Sequence, residues 1–286
     1  MPPLVYLSRL EANIVAAGIA IPPRPSVVVE LMRERTKPEP DLKRIAGLIA
    51  QDVGICAAVL RTVNSPLYGL RTRVDSIEHA VRLLGSKNVY ALVTGLALRN
   101  ALPAQGLARY YDQSSRTALI MAFLSERTGR STPQDAHLFG LFHDCGIPLM
   151  MQRFPDYKDT LSLANAEPDR AFLDVENDRH LTNHVALGTL LAGKWQLPAH
   201  IQEAIRHHHD LGVFRAGFAI GPHALDLIAL MHVAAIIENA HFRASGYGEW
   251  VRLEQACRDH LGLDEAAWAA LLDSLEEAMP EALSEV

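Results

Sequence analysis

Apolar residues recur at intervals of three and four along almost the whole chain, and no long stretch alternates strictly between apolar and polar positions. A pattern of that period buries a single face only as a helix, so the chain is expected to be all-α, with strands minor at most. Leu4, Leu7, Leu10, Ile14 and Val15 make one stripe, which Gly18 and the prolines at 22, 23 and 25 terminate in a stiff turn. A helix over 26–35 follows. Asp41 and Asp52 are good N-caps for helices over 42–50 and 53–63, and Asn64 to Gly69 reads as a turn. Ser76, Gly85 and Ser86 read as cap, stop and cap of a helical hairpin running to Leu98.

The same reasoning places helices at about 107–128, 133–142, 155–166, 170–178, 183–195, 198–209, 222–243, 250–261 and 264–278. Residues 211–221 form a loop suited to covering a cleft. A break containing Pro103 and Gly106 divides the chain into an N-terminal helical lobe (1–102), a second bundle (103–221) and C-terminal helices (222–286) that complete the bundle or make an interface. Trp250 and Trp268 in that last part are expected to anchor a core.

Composition narrows the function. With 286 residues, 49% hydrophobic and 21% charged, the chain has the make-up of an ordinary globular protein with a sizeable core. Its net charge of -6, from 27 basic and 33 acidic residues, argues against broad electrostatic capture of nucleic acid or of an anionic membrane. Cys56, Cys145 and Cys257 are far apart and none lies in a CxxC pair, so neither a disulfide framework nor a thiolate zinc site is expected, and a reducing cytoplasm fits. The apolar run over 14–21 is too short for a membrane span and is preceded by Arg9 and Glu11, so no targeting segment is expected. The helices over 42–50 and 53–63 have the outline of a helix-turn-helix. The second, however, offers mainly Ala57, Ala58 and Arg61 outward, where a base-reading helix presents Arg, Asn or Gln, so two packed helices of a bundle are the expected reading.

The chemistry centres on His143-Asp144, set between apolar residues and Gly146, which is expected to end their helix. An imidazole and a carboxylate at adjacent positions either share a divalent cation or form a hydrogen-bonded pair. Most of the thirteen histidines fall between His137 and His241. Among them, His184 lies on a helix rich in leucine, and the triplet His207-His208-His209 ends another beside Asp210. Adjacent helical residues point about 100° apart, so a tandem pair is useful only where its helix ends in a cavity.

The segments IPPRPSVVVELM and IAQDVGICAAVLRTVNSPLYGL, then GLFHDCGIPLM, then NHVALGTLLAGKWQLPAHIQEAIRHHH, together resemble the HDOD family, the HD-related output domains of bacterial signalling proteins. The resemblance covers roughly Ile19 to Asp210. It implies an all-α fold in which an N-terminal helical lobe packs on an HD-domain-like helical bundle, a degenerate form of the HD and HD-GYP phosphohydrolases, with a regulatory role. Carried over by position, His143, Asp144, His184, His208 and His209 are the metal ligands it implies. Such a set suits Fe, Mn, Ni or Zn better than Ca. The chain departs from the catalytic pattern at Gln113, where a ligand histidine is expected, and at Ala235, where a late aspartate is expected; Asp210-Leu211-Gly212 replaces a GYP-type loop. No catalytic residue is therefore assigned. The expected function is a non-catalytic signal-transduction module that binds a signalling protein or a small regulator such as a nucleotide, with neither nucleic acid nor membrane as partner. The alternative is a metal-dependent phosphohydrolase acting on a nucleotide or cyclic dinucleotide.

Overall fold

The structure, a computed structural model, describes residues 12–64, 72–102, 106–167, 170–242 and 248–278. Every regular element among them is a helix. After a short helix over 12–16 come α1 (Ser26–Arg35), α2 (Leu42–Ala50), α3 (Val53–Val63) and α4 (Ile77–Ala101). The middle of the chain holds α5 (Ala108–Thr128), α6 (Pro133–Phe142), α7 (Ile147–Arg153), α8 (Tyr157–Ala166), α9 (Phe172–His180), α10 (His184–Lys194) and α11 (Ala199–His207). It ends with α12 (Pro222–Phe242), α13 (Gly248–Leu261) and α14 (Glu265–Ala278).

The helix starts follow from their caps. The Asp41 carboxylate accepts from the backbone N–H groups of Lys43 and Arg44 at 2.9 and 3.1 Å, and Asp52 accepts from Ile55 at 3.0 Å. α2 and α3 meet at 119° and bury Ile45, Ile49, Ile55, Val59 and Val63 against the lobe, so the helix-turn-helix outline is a packing corner. Of the turn after Asn64, residues 65–71 lie outside the described residues, as do Leu4, Leu7 and Leu10; the Asn64 amide closes the turn by exchanging two 2.7 Å hydrogen bonds with the Val74 backbone.

The expected stop at Gly85 is there: this residue leaves helical geometry, at φ 71° and ψ 167°, so α4 is two helices joined across a kink. Two expectations need correction. Val15 is exposed although Ile14 beside it is buried. The second concerns Gly146. The chain stays right-handed there (φ -76°) and runs straight into α7, a helix the periodicity did not reveal. Glycine is required for a different reason: a Cβ would stand 2.0 Å from the His184 carbonyl oxygen.

α1, α2 and α3 pack on α4, α4 packs on α6, and α6 lies closely along α5. That last contact depends on Gly140, whose missing Cβ would fall 2.5 Å from the Ala118 Cα. The proline-rich turn is tied to the end of α10: Trp195 Nε1 donates to the Pro22 carbonyl at 3.1 Å, and Arg24 donates to the Trp195 carbonyl at 2.9 Å. One apolar core, from Ile14 to Leu275, runs through all these elements. Trp268 packs partly buried against it, while the Trp250 side chain lies outside the described residues. α12 is long and apolar enough to cross a membrane by length and composition, but it packs against α5, α6, α11 and α13, which accounts for its apolarity.

Candidate metal centre

Three helix ends meet around Asp144. α6 ends at His143, α10 begins at His184 under the cap of Asn183, whose side chain accepts from the Ala186 N–H at 2.8 Å, and α11 ends at His207 to deliver His208 and His209. Donor atoms of Asp144, His184, His208 and His209 all lie within 4.8 Å of one another. His184 and His208 are fully buried, and the Asp144 side chain keeps 22% of its surface exposed. The rings of His208 and His209 are 4.4 Å apart, and Phe172 stacks on His209 at 5.2 Å.

The tautomers follow from the partners. His184 Nδ1 is 2.8 Å from Glu176 Oε2, and His208 Nδ1 is 2.8 Å from the Ile205 carbonyl; each partner accepts only, so each Nδ1 carries the proton. Both Nε2 lone pairs then face Asp144 Oδ1, each at 3.4 Å, and neither Nε2 has a hydrogen-bond partner. Three acceptors converging in a buried place repel one another unless a cation or a proton stands among them. The 3.4 Å separations also match the roughly 3.3–3.4 Å between donor atoms that share a four-coordinate ion with bonds of about 2.1 Å. These residues therefore fit a divalent metal of the borderline class.

His143 plays a different part. Its Nδ1 donates to the Gly140 carbonyl at 2.8 Å and its Nε2 faces the other oxygen of Asp144, Oδ2, at 3.2 Å. It steadies the carboxylate from the side and stands outside the group of four.

The ionisation states show the demand for positive charge. Burial alone would lower the pKa of His184, but the Glu176 and Asp144 carboxylates push it up to about 10. Burial would raise that of Asp144, and His143 with the other imidazoles instead holds it well below the usual carboxylate range. Burial and the neighbouring His209 press His208 down to about 3, which keeps its imidazole neutral and able to act as a ligand.

Two residues that sequence reasoning missed complete the surroundings. Glu176, fully buried on α9, binds His184 through one oxygen and accepts from the Tyr157 hydroxyl through the other. His232, on α12, places Nε2 3.2 Å from the His208 carbonyl oxygen. It lies one helical turn before Ala235, so an imidazole of α12 reaches the centre. On α5, Tyr110, one turn before Ser114, is coupled to the centre: burial, then the charges of Cys145 and Asp144, hold its phenol well above its ordinary pKa. Gln113 is half-buried on the same helix.

Comparison with known proteins agrees with this architecture. The HDOD domain family matches residues 21–211. An uncharacterized protein of Treponema pallidum is 28% identical over 210 residues, covering 71% of this chain and 40% of that protein. The cyclic di-GMP phosphodiesterase CdgJ of Vibrio cholerae is 26% identical over 165 residues, covering 54% of this chain and 38% of its own. The chain thus spans about two fifths of the length of the curated relatives it matches. Among solved structures, a Shewanella amazonensis protein provisionally named a phosphohydrolase superposes with a TM-score of 0.70 at 21% identity, covering 97% of this chain and 95% of that one; at that identity the likeness carries the fold. With two thirds of its length matched by the family and the HD centre assembled as described, the chain belongs to the HDOD domain family.

Proposed function

We propose that this chain is a non-catalytic HDOD signalling module whose HD centre holds one divalent ion as a structural and regulatory element, and whose surfaces bind a signalling protein or a nucleotide regulator. The observation that supports it is the closed ligand set: Asp144, His184, His208 and His209 bring four protein donors within 4.8 Å. Four protein ligands satisfy a tetrahedral ion, as in structural sites, whereas a hydrolytic centre keeps a position open for water. A second ion would need further donors, and the positions that could supply them carry Gln113 and Ala235. Fe, Mn, Ni or Zn match the donors; when bound, such an ion supplies positive charge that stabilises Asp144 as a carboxylate and the three imidazoles as neutral rings.

The opposing reading is a metal-dependent phosphohydrolase on a cyclic dinucleotide. It draws support from the partial exposure of Asp144 and from the named activity of CdgJ. One experiment separates the two: measure metal content after tag-free purification, then assay a generic phosphodiester and cyclic di-GMP with added Mn. Close to one ion per chain, with no turnover above a metal-only blank, is the expected result. Turnover abolished by Asp144→Ala would overturn the regulatory reading.

A further inference from the structure

The corner where the N-terminal lobe meets the end of α10 holds a cation without a counter-ion. Arg24, half-buried, uses both Nη1 hydrogens on uncharged acceptors, the Trp195 carbonyl at 2.9 Å and the Met32 sulfur at 3.2 Å. Among the described residues no carboxylate pairs with it, and its Nε and Nη2 N–H groups have no protein partner. Those groups form the edge of a guanidinium that grips a carboxylate or phosphate through two parallel hydrogen bonds. Beside it lies a cleft of about 370 Å³ lined by Arg24, Val29, Met32, Arg33, Thr36 and Gln196, with no acidic residue among them.

We propose that this cleft binds a small phosphate ester, with the phosphate on Arg24 and Arg33 and an apolar body against Val29 and Met32. Its volume, near the lower end of the roughly 300–1,000 Å³ of ligand pockets, admits a small molecule. Arg33 pairs with Glu30 at 2.6 Å, but its side chain is exposed and Glu30 also lies 3.7 Å from Arg44. Exposed pairs of this kind are weak, so Arg33 can turn to an anion without leaving Glu30 uncompensated. Gln196 supplies a further donor. It sits at φ 55°, where hydrogen bonds from its own N–H to the Gly193 carbonyl and from the Leu197 N–H to the Ala192 carbonyl, both 3.0 Å, close a Schellman motif at the end of α10. Glycine is the usual residue at that position, and glutamine there brings an amide to the cleft wall. Lys194 adds positive charge at the same corner, donating to the Ile21 carbonyl at 2.7 Å. The lobe as a whole has the matching sign: residues 1–102 hold 13 Lys and Arg against 8 Asp and Glu, in a chain of net charge -6.

Such a site gives the small regulator of the proposed signalling module a place to bind, and it rests on that function without depending on the ion. Arg24 precedes α1, and Gln196 follows α10, the helix that begins at the metal-binding His184. The 11 residues of α10 span about 16 Å. A phosphate held from both sides supplies the missing counter-charge and ties the N-terminal lobe to the end of α10 remote from the HD centre.

The test is calorimetric titration of tag-free protein, in buffer without phosphate, with adenosine monophosphate, inorganic phosphate and adenosine, each with and without excess chelator. Adenosine monophosphate is expected to bind once per chain, phosphate to compete with it more weakly, and adenosine not to bind; chelator should change none of this. Arg24→Lys keeps the charge but lacks the fork, and Arg33→Ala removes the second cation, so each should weaken binding on the order of 10-fold. Gln196→Gly relieves the left-handed backbone and should fold at least as well as the wild type, so weaker binding in that variant reports the lost amide. If neither phosphate nor adenosine monophosphate binds at millimolar concentration, or if all three variants bind as the wild type does, the cleft is not a phosphate site. That failure leaves the HD centre untouched, since its metal content and lack of turnover are measured separately. If binding disappears with chelator, the phosphate sits on the ion of the HD centre and the proposal falls.

Discussion

Glu176 and His184 face each other in the interior, neither with any exposed surface, and His184 Nδ1 lies 2.8 Å from Glu176 Oε2. The backbone N–H of His184 donates to the same oxygen at 3.3 Å, so a single carboxylate fixes both the start of α10 and the direction in which the imidazole lone pair points. Partners of this kind orient a metal-binding histidine, and their loss typically costs about 10- to 100-fold in affinity. Glu176→Ala is therefore expected to weaken metal binding in that range, measured by competition with a chelator. Glu176→Gln, which keeps a hydrogen-bonding oxygen, should lose less.

The two buried histidines make the stability of metal-stripped protein depend on pH in opposite directions. His184 is raised to about 10 from 6.5, so the folded state binds the extra proton between those values; its contribution is complete below pH 6.5 and is lost as pH rises toward 10. His208 is lowered to about 3, so the unfolded state binds the extra proton between pH 3 and 6.5, and stability falls as pH drops through that window. Urea midpoints with excess chelator should peak near pH 6.5. Glu176→Gln, which removes the main charge that raises His184, should flatten the limb above the peak.

Gly140→Ala and Gly146→Ala both insert a methyl group where backbone already stands, at 2.5 Å from the Ala118 Cα and 2.0 Å from the His184 carbonyl oxygen. Overpacking costs about 1–3 kcal/mol or more when the neighbour is backbone. Both variants should melt at lower temperature. Only Gly146→Ala, which displaces α10 at its first residue, should also lose metal affinity beyond the loss of stability.

Arg116 and Glu238 link α5 to α12 through a 2.9 Å ion pair in which Glu238 is almost fully buried. Truncating one member of a buried pair typically costs about 3–5 kcal/mol, because the other charge remains desolvated. Arg116→Ala should therefore destabilise strongly in chemical denaturation. The double change Arg116→Met with Glu238→Leu should recover much of the loss, since an apolar pair of similar volume asks for no desolvation.

Much of the helical scaffold can be read from the sequence because its causes are local. Asp41, Asp52, Ser76, Thr132 and Asn183 each accept from a backbone N–H two or three residues on, and such caps are visible in the order of residues. α7 escaped because seven residues make too few turns to show a period, and Gly146 looked like a stop signal although its backbone stays helical. Asp144, His184, His208 and His209 were all nameable from motif and resemblance.

Which atoms do the work was decided only by tertiary structure. His143 sits next to Asp144 in the chain yet faces its Oδ2, while His184 and His208, 40 and 64 positions beyond Asp144, both face its Oδ1. Glu176 and His232 carry no motif; they matter because α9 and α12 happen to pass the centre. The sequence by itself determined that the chain is helical, where most helices begin and which residue types could hold a metal, since capping, periodicity and side-chain chemistry act over a few residues. Tertiary packing decided which helix ends converge, because contacts between residues tens of positions apart depend on how whole faces fit together, and Gly140 and Gly146 allow the two close approaches that bring those ends to one point.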